Sequence, residues 1–179
     1  MAEEVPAGRG DHDWSAEVFE VLRAKAVRLV ATVPDGGLTR LLNLCGRSNG
    51  MRVATLSTEE EGIGVLTGAW LGGQRGALLM QSSGVGNCVN ALSLPRVCGI
   101  PCLMLVTMRG QWGEFNPWQV PMGGAVRPVF EAMGVHCYPV DRAEEVAPTF
   151  AAAANFAVAS GVSAAVLISQ RVIGAKEFK

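Results

Sequence analysis

Residues 51–70, MRVATLSTEEEGIGVLTGAW, decide how the rest of the chain is understood. The opening run to Ser57 is short and β-branched, and Thr58 then leads into three adjacent carboxylates, Glu59, Glu60 and Glu61. Gly62, Gly64 and Gly68 come next, at spacings that let a helix lie close against a neighbouring element. Strand, turn and tightly packed helix are thus expected within twenty residues. Acidic residues in a first helical turn complement the positive end of the helix dipole, so the carboxylates have an ordinary capping explanation as well as a functional one. The next segment favours the second: the strand-like GALLMQ, residues 76–81, opens directly into SSGVGN, a Gly-rich turn of the kind that brings backbone close to a flat or anionic ligand.

The same unit recurs on both sides. WSAEVFEVLRAKAV places Trp14, Val18, Val21 and Leu22 at helical spacing, with Ser15 as the expected N-cap. VRLVATVP reads as a strand stopped by Pro34, and after DGG the segment LTRLLNLCGRS carries an apolar stripe of Leu38, Leu41 and Leu42. Beyond the Gly-rich turn, a helix is expected over Val89 to Leu94, then the strand PCLMLVTM, a long loop and a helix near Ala125 to Met133. VHCYPV, the alanine-rich AEEVAPTFAAAANFAVAS and finally SAAVLISQ bring the count to six strands alternating with helices. The predicted fold is α/β: a single doubly wound six-stranded parallel sheet with helices on both faces, over residues 14–179, preceded by a loose N-terminal tail over 1–13.

Composition narrows the function classes. At 179 residues and 49% hydrophobic content, the chain suits one well-buried domain. A net charge of -1, with Lys and Arg scattered, leaves no basic surplus for nucleic acid or an anionic membrane. The acidic start lacks an apolar signal core, and no apolar run reaches the roughly 18 residues of a membrane span. Five cysteines, Cys45, Cys88, Cys98, Cys102 and Cys137, form an odd set without a CxxC pair, which suggests reduced thiols and a cytoplasmic location.

Ligands of parallel sheets bind at the carboxyl ends of the strands, where four junctions have unusual chemistry: VPDGG, STEEEG, QSSGVGN and TMRGQWGEFNPWQVPMGG. SGVGN is half of a dinucleotide fingerprint but lacks its third glycine and follows the third strand. There is no P-loop lysine or nucleophile elbow, and His12 and His136 are expected to be structural or solvated. Arg109 is either a surface ion-pair partner or a cation for an anionic substrate beside Gln111. Asp35 is either a turn former or a site acid.

Taken together, VPDGG, TEEEGIGVLTGAW, MQSSGVGN and TMRGQWGE resemble the pyrimidine-binding domain of thiamine-diphosphate enzymes, in particular sulfopyruvate decarboxylase alpha subunits and the N-terminal part of phosphonopyruvate decarboxylases. The resemblance runs over nearly the whole chain after Trp14. It implies a decarboxylase subunit, a carboxy-lyase acting on a small 2-oxo acid. The family's glutamate stands nine residues before a helix glycine; here Gly68 selects Glu59 over Glu60 and Glu61. By the resemblance, Glu59 binds the pyrimidine ring nitrogen and favours the tautomer whose exocyclic nitrogen takes the thiazolium proton. Gln81, Ser82, Ser83, Gly84, Val85, Gly86 and Asn87 would pack against the aminopyrimidine, and Pro34, Asp35, Arg109 and Gln111 would face the substrate. Where relatives carry an acidic-Pro-Gln-His run, this chain has Asn116, Pro117, Trp118 and Gln119, so the remote group of the substrate is left open. No GDG run occurs, and the resemblance implies a beta subunit that holds the diphosphate and Mg2+ in a hetero-oligomer. The alternative is a noncatalytic regulatory or binding subunit that retains the fold.

Overall fold

The computed structural model describes residues 12–175. Six strands, β1 (Val27–Thr32), β2 (Arg52–Thr55), β3 (Arg75–Gln81), β4 (Cys102–Thr107), β5 (His136–Val140) and β6 (Ser163–Ile168), form one sheet in the order β2-β1-β3-β4-β6-β5. Every pairing is parallel. The helices are α1 (Trp14–Ala24), α2 (Thr39–Gly46), α3 (Glu59–Leu71), the short α4 (Val85–Cys88) and α5 (Ser93–Cys98), then α6 (Gln119–Ala132), α7 (Ala143–Ser160) and the single turn α8 (Gln170–Ile173). This is the doubly wound sheet that the alternation predicts.

The strands dictate two cores. Every residue of β4 and β6 is buried, as expected of parallel strands covered on both faces, and successive residues of β4 feed opposite sides. Leu103 and Leu105 face α1, α2 and α7 with Leu22, Leu41 and Phe150, whereas Cys102, Met104 and Val106 face α3 to α6 with Ile63, Leu66, Val85 and Phe130. Phe130 and Phe150 are fully buried, each contributing about 1.5–3 kcal/mol by its burial.

The chain leaves β1 for β2 on one side and returns to β3 on the other, so β1 and β3 flank the switch point where doubly wound sheets open a crevice. Asp35 follows β1, Glu59 follows β2, the Gly-rich turn follows β3 and Arg109 follows β4, all along the same edge.

Four local expectations are corrected. The N-cap of α1 is Asp13, whose Oδ1 accepts the Ala16 N–H at 3.2 Å, because the helix starts at Trp14 and Ser15 lies buried within its first turn. Asp13 is also held by Arg40, while residues 1–11 of the expected tail lie outside the described residues. The helix expected over Val89 to Leu94 is divided: α4 ends at Cys88, and α5 begins at Ser93 and is closed by Gly99 in the left-handed conformation. Helix α6 starts at Gln119, not near Ala125, since Pro121 is tolerated in a first turn that has no N–H partner to lose. Gly123 belongs to that helix because a Cβ there would stand 2.0 Å from the Arg109 carbonyl oxygen. Of the α3 glycines only Gly62 serves a close approach, to Leu78; Gly64 and Gly68 face open space among the described residues.

Candidate functional site

The three carboxylates of α3 have different surroundings. Glu60 and Glu61 are exposed, and Glu61 accepts the Ser57 N–H at 2.9 Å, which ties the segment entering the helix back onto its first turn, while the Thr58 side chain makes no cap bond. Glu59 is 7% exposed and turned toward the Gly-rich turn. Asn87 Nδ2 donates to its Oε2 at 2.8 Å, a charge-assisted bond worth about 1.5–3 kcal/mol. Gly84 lies directly against the carboxylate: a Cβ there would be 2.3 Å from Cδ and 2.4 Å from Oε1. Among the described residues Oε1 accepts no hydrogen bond. Helix-entry and inward-facing roles therefore coexist on one helix turn, divided between Glu61 and Glu59.

The turn that presses on Glu59 is a single 3₁₀ turn, Ser82–Gly84, running into α4. Ser82 is fully buried, and its Oγ accepts the Arg109 N–H at 3.0 Å, which ties this turn to the end of β4. Val85 points into the core, Gly86 approaches Met122, and the exposed Ser83 hydroxyl donates to Gln81 Oε1 at 2.7 Å. Gly84 and Asn87 are thus the members of the turn that meet the carboxylate.

Asp35 joins three strand ends. Its Oδ1 accepts Gln81 Nε2 at 2.8 Å, and its Oδ2 accepts the Thr107 hydroxyl at 2.9 Å and the Gly37 N–H at 3.1 Å. The turn-forming and site readings of Asp35 are compatible, since the same carboxylate caps the short turn Gly36–Leu38 and is fixed from β3 and β4. Pro34 beside it is exposed. Thr107 was not legible as a partner, for nothing in the sequence distinguishes a strand-terminal threonine that reaches across the sheet.

Of the two sequence readings of Arg109, the structure shows the ion pair, buried and not at the surface. It is 6% exposed, and its fork is filled by Glu114: Nε donates to Oε2 at 2.8 Å and a terminal nitrogen to Oε1 at 2.6 Å. The Phe115 ring lies against the guanidinium at 5.5 Å. Burial pushes the Glu114 carboxyl up, but Arg109 and the N–H groups of Asn116 and Gly110 outweigh it and hold the group down to about 2. Removing one partner of such a buried pair costs about 3–5 kcal/mol. Gln111 is exposed, and its Oε1 accepts the Gln170 N–H at 3.1 Å. The large apolar side chains that this loop exposes are Trp112, Phe115 and Trp118, the last 84% exposed. Glu114 and Gln170 were missed because their weight comes from burial, which the sequence does not display.

The cysteines are free thiols. Burial pushes Cys45 up to about 11, and Cys88 and Cys102 to about 12, with Glu59 adding to the shift of Cys88. His136 stacks edge-on against Phe156 and His12 lies at the surface near Glu17. Among the described residues no three His, Cys, Asp or Glu side chains are grouped as a metal site, and no helix is long and apolar enough to cross a membrane.

No protein-family model matches the chain. It is 38% identical over 122 residues to the sulfopyruvate decarboxylase subunit alpha of Methanococcus maripaludis, an alignment covering 68% of this chain and 73% of that protein. It is 39% identical over 113 residues to the phosphonopyruvate decarboxylase of Streptomyces viridochromogenes, covering 63% of this chain but 28% of that longer protein. Among solved structures, the 2-oxoglutarate:ferredoxin oxidoreductase of Magnetococcus marinus shares the fold with a TM-score of 0.69 at 12% identity, over 89% of this chain and 29% of that one.

Proposed function

The chain belongs to the family of sulfopyruvate decarboxylase alpha subunits, and from that premise we propose that it is the glutamate-bearing half of a thiamine-diphosphate-dependent 2-oxo acid decarboxylase. The observation that carries the reading is the Glu59 cradle. A buried carboxylate is bound at one oxygen by Asn87, has no hydrogen-bond partner at the other among the described residues, and is pressed on a glycine at which no side chain fits. That arrangement fits a flat, nitrogen-bearing ring. Thiamine diphosphate, when bound, supplies an electron sink for the bond broken as carbon dioxide leaves. Glu59 Oε1 would hold the proton at the pyrimidine ring nitrogen, Asn87 would keep the carboxylate oriented, and the Gln81–Asn87 backbone would exclude water from that side. Asp35, fixed by Gln81 and Thr107, would stand toward the substrate. With the Arg109 fork taken by Glu114, a remote anion on the substrate would need another receptor or the release of that pair.

The diphosphate and Mg2+ are assigned to a beta subunit, with residues 14–179 acting as the pyrimidine-binding domain. Support for a partner comes from apolar side chains left in water on α3 and α5, namely Leu71, Leu94 and Val97, beside the uncovered Gly64 and Gly68. The noncatalytic alternative draws on Trp118, an exposed indole at a position where the family resemblance implies a polar residue.

The test is reconstitution. The chain is mixed with a co-encoded chain carrying GDG, thiamine diphosphate and Mg2+, and carbon dioxide release is followed from sulfopyruvate, phosphonopyruvate, pyruvate and phenylpyruvate. Release by the mixture and by neither chain alone is expected. A complex that forms and binds cofactor but decarboxylates none of the four acids would establish the noncatalytic reading instead.

A further inference from the structure

Gln170, the first residue of α8, is 1% exposed, and every polar group of its side chain is engaged with a loop some sixty positions earlier in the chain. Its Oε1 accepts the backbone N–H of both Gln111 and Trp112 at 3.0 Å. Its Nε2 donates to Glu114 Oε2 at 3.0 Å, and its own N–H is taken by Gln111 Oε1 at 3.1 Å. Glu114 in turn accepts from Arg109, Gly110 and Asn116. The root of the same loop is fastened to the Gly-rich turn by the Arg109 N–H to Ser82 bond. A primary amide suits this position because it offers an acceptor to two N–H groups and a donor to a carboxylate at once. A carboxylate offers no donor and a leucine offers neither.

We propose that Gln170 is the positioning residue of the 109–118 loop, a clamp from the end of β6 that keeps the loop in one conformation at the carboxyl edge of the sheet before substrate arrives. Without it, Gln111 and Trp112 lose the acceptor of their N–H groups and Glu114 loses one of its donors, so the loop samples other conformations and must be ordered on binding. The clamp itself is a property of this chain; its effect on turnover rests on the proposed decarboxylase function.

Amide hydrogen exchange by NMR, on the full chain alone, tests the clamp apart from that function. Gln170→Leu is expected to lower protection of the Gln111 and Trp112 amides by about tenfold or more, while the β4 amides of Leu105 and Val106 stay as in the wild type. Gln170→Glu gives a control in which a single protein is its own reference. The charged groups about position 170 are Glu114 and, bound to it, Arg109, with the exposed Arg171 next along α8. At about pH 8 the new carboxylate repels Glu114, whereas at about pH 5 its protonated form can donate to Glu114 as the amide does, so protection of the two amides should return on acidification after correction for intrinsic exchange. In the reconstituted enzyme, Gln170→Leu should raise KM by about tenfold with a much smaller change in kcat, since ordering is then drawn from binding. Unchanged protection of Gln111 and Trp112 in Gln170→Leu, or protection in Gln170→Glu that does not respond to pH, would overturn the proposal whether or not the complex decarboxylates anything.

Discussion

Gly84→Ala places a methyl group where the structure has the Glu59 carboxylate. The added Cβ would lie 2.3 Å from Cδ, 2.4 Å from Oε1 and 2.5 Å from Cγ, all well inside contact distance. Relief requires the Glu59 side chain to leave its position, and its bond to Asn87 at 2.8 Å goes with it. Overpacking of this kind costs about 1–3 kcal/mol, and the lost charged hydrogen bond about 1.5–3 kcal/mol. Part of each is recovered as Glu59 reaches water, which leaves an expected destabilisation of about 2–4 kcal/mol. The decisive comparison is a double-mutant cycle measured by urea unfolding at constant m. In Glu59→Ala the atoms that meet the new methyl are gone, so Gly84→Ala should cost about 1–3 kcal/mol less there than in the wild type. Additive costs, or a Gly84→Ala variant as stable as the wild type, would refute the cradle as the reason for the glycine.

The same geometry sets three further outcomes. Asn87→Asp sets a second carboxyl beside Glu59, so stability should drop at neutral pH and recover as the pH falls and the pair takes up a proton, as read by thermal unfolding across pH. Glu114 has a folded pKa of about 2, below its ordinary value of 4.5, so its contribution of about 3 kcal/mol is fully present above pH 4.5 and is lost as pH falls toward 2; Glu114→Gln should lack that part of the acid limb. Under native conditions at neutral pH, iodoacetamide should label Cys98 first, because Cys45, Cys88, Cys102 and Cys137 are held protonated by burial; mass spectrometry showing Cys88 or Cys102 modified at a comparable rate would contradict the packing around them.

Much of the fold was legible because parallel strands buried on both faces leave continuous apolar runs, of which CLMLVT and SAAVLI are the clearest. The alternation with helices then fixes the architecture. Boundaries at Asp13 and Gln119 were not legible, since both depend on where the helix geometry begins and not on which residue favours a cap. Gly123 and Gly124 read as loop, although Gly123 sits in α6 to clear the Arg109 carbonyl. At the site, the positions of Glu59, Asp35 and the Gly-rich turn could be inferred from strand ends. The division of labour between Glu59 and Glu61 could not, because it is set by a rotation of about 200° along the helix between them. The ion-pair and substrate-cation readings of Arg109 could not be separated, because RGQWGE does not reveal that Glu114 folds back into its fork.

The central claim, that one carboxylate of the three on α3 activates the cofactor, is tested most directly by comparing Glu59→Gln, Glu60→Gln and Glu61→Gln in the reconstituted complex, with carbon dioxide release from the preferred 2-oxo acid as the readout. Glu59→Gln keeps the shape of the side chain but cannot hold the ring-nitrogen proton, and kcat should fall by about 10² to 10⁴ while the other two variants stay within a few-fold of wild type. Near-normal turnover in Glu59→Gln, or an equal loss in all three, would contradict the account.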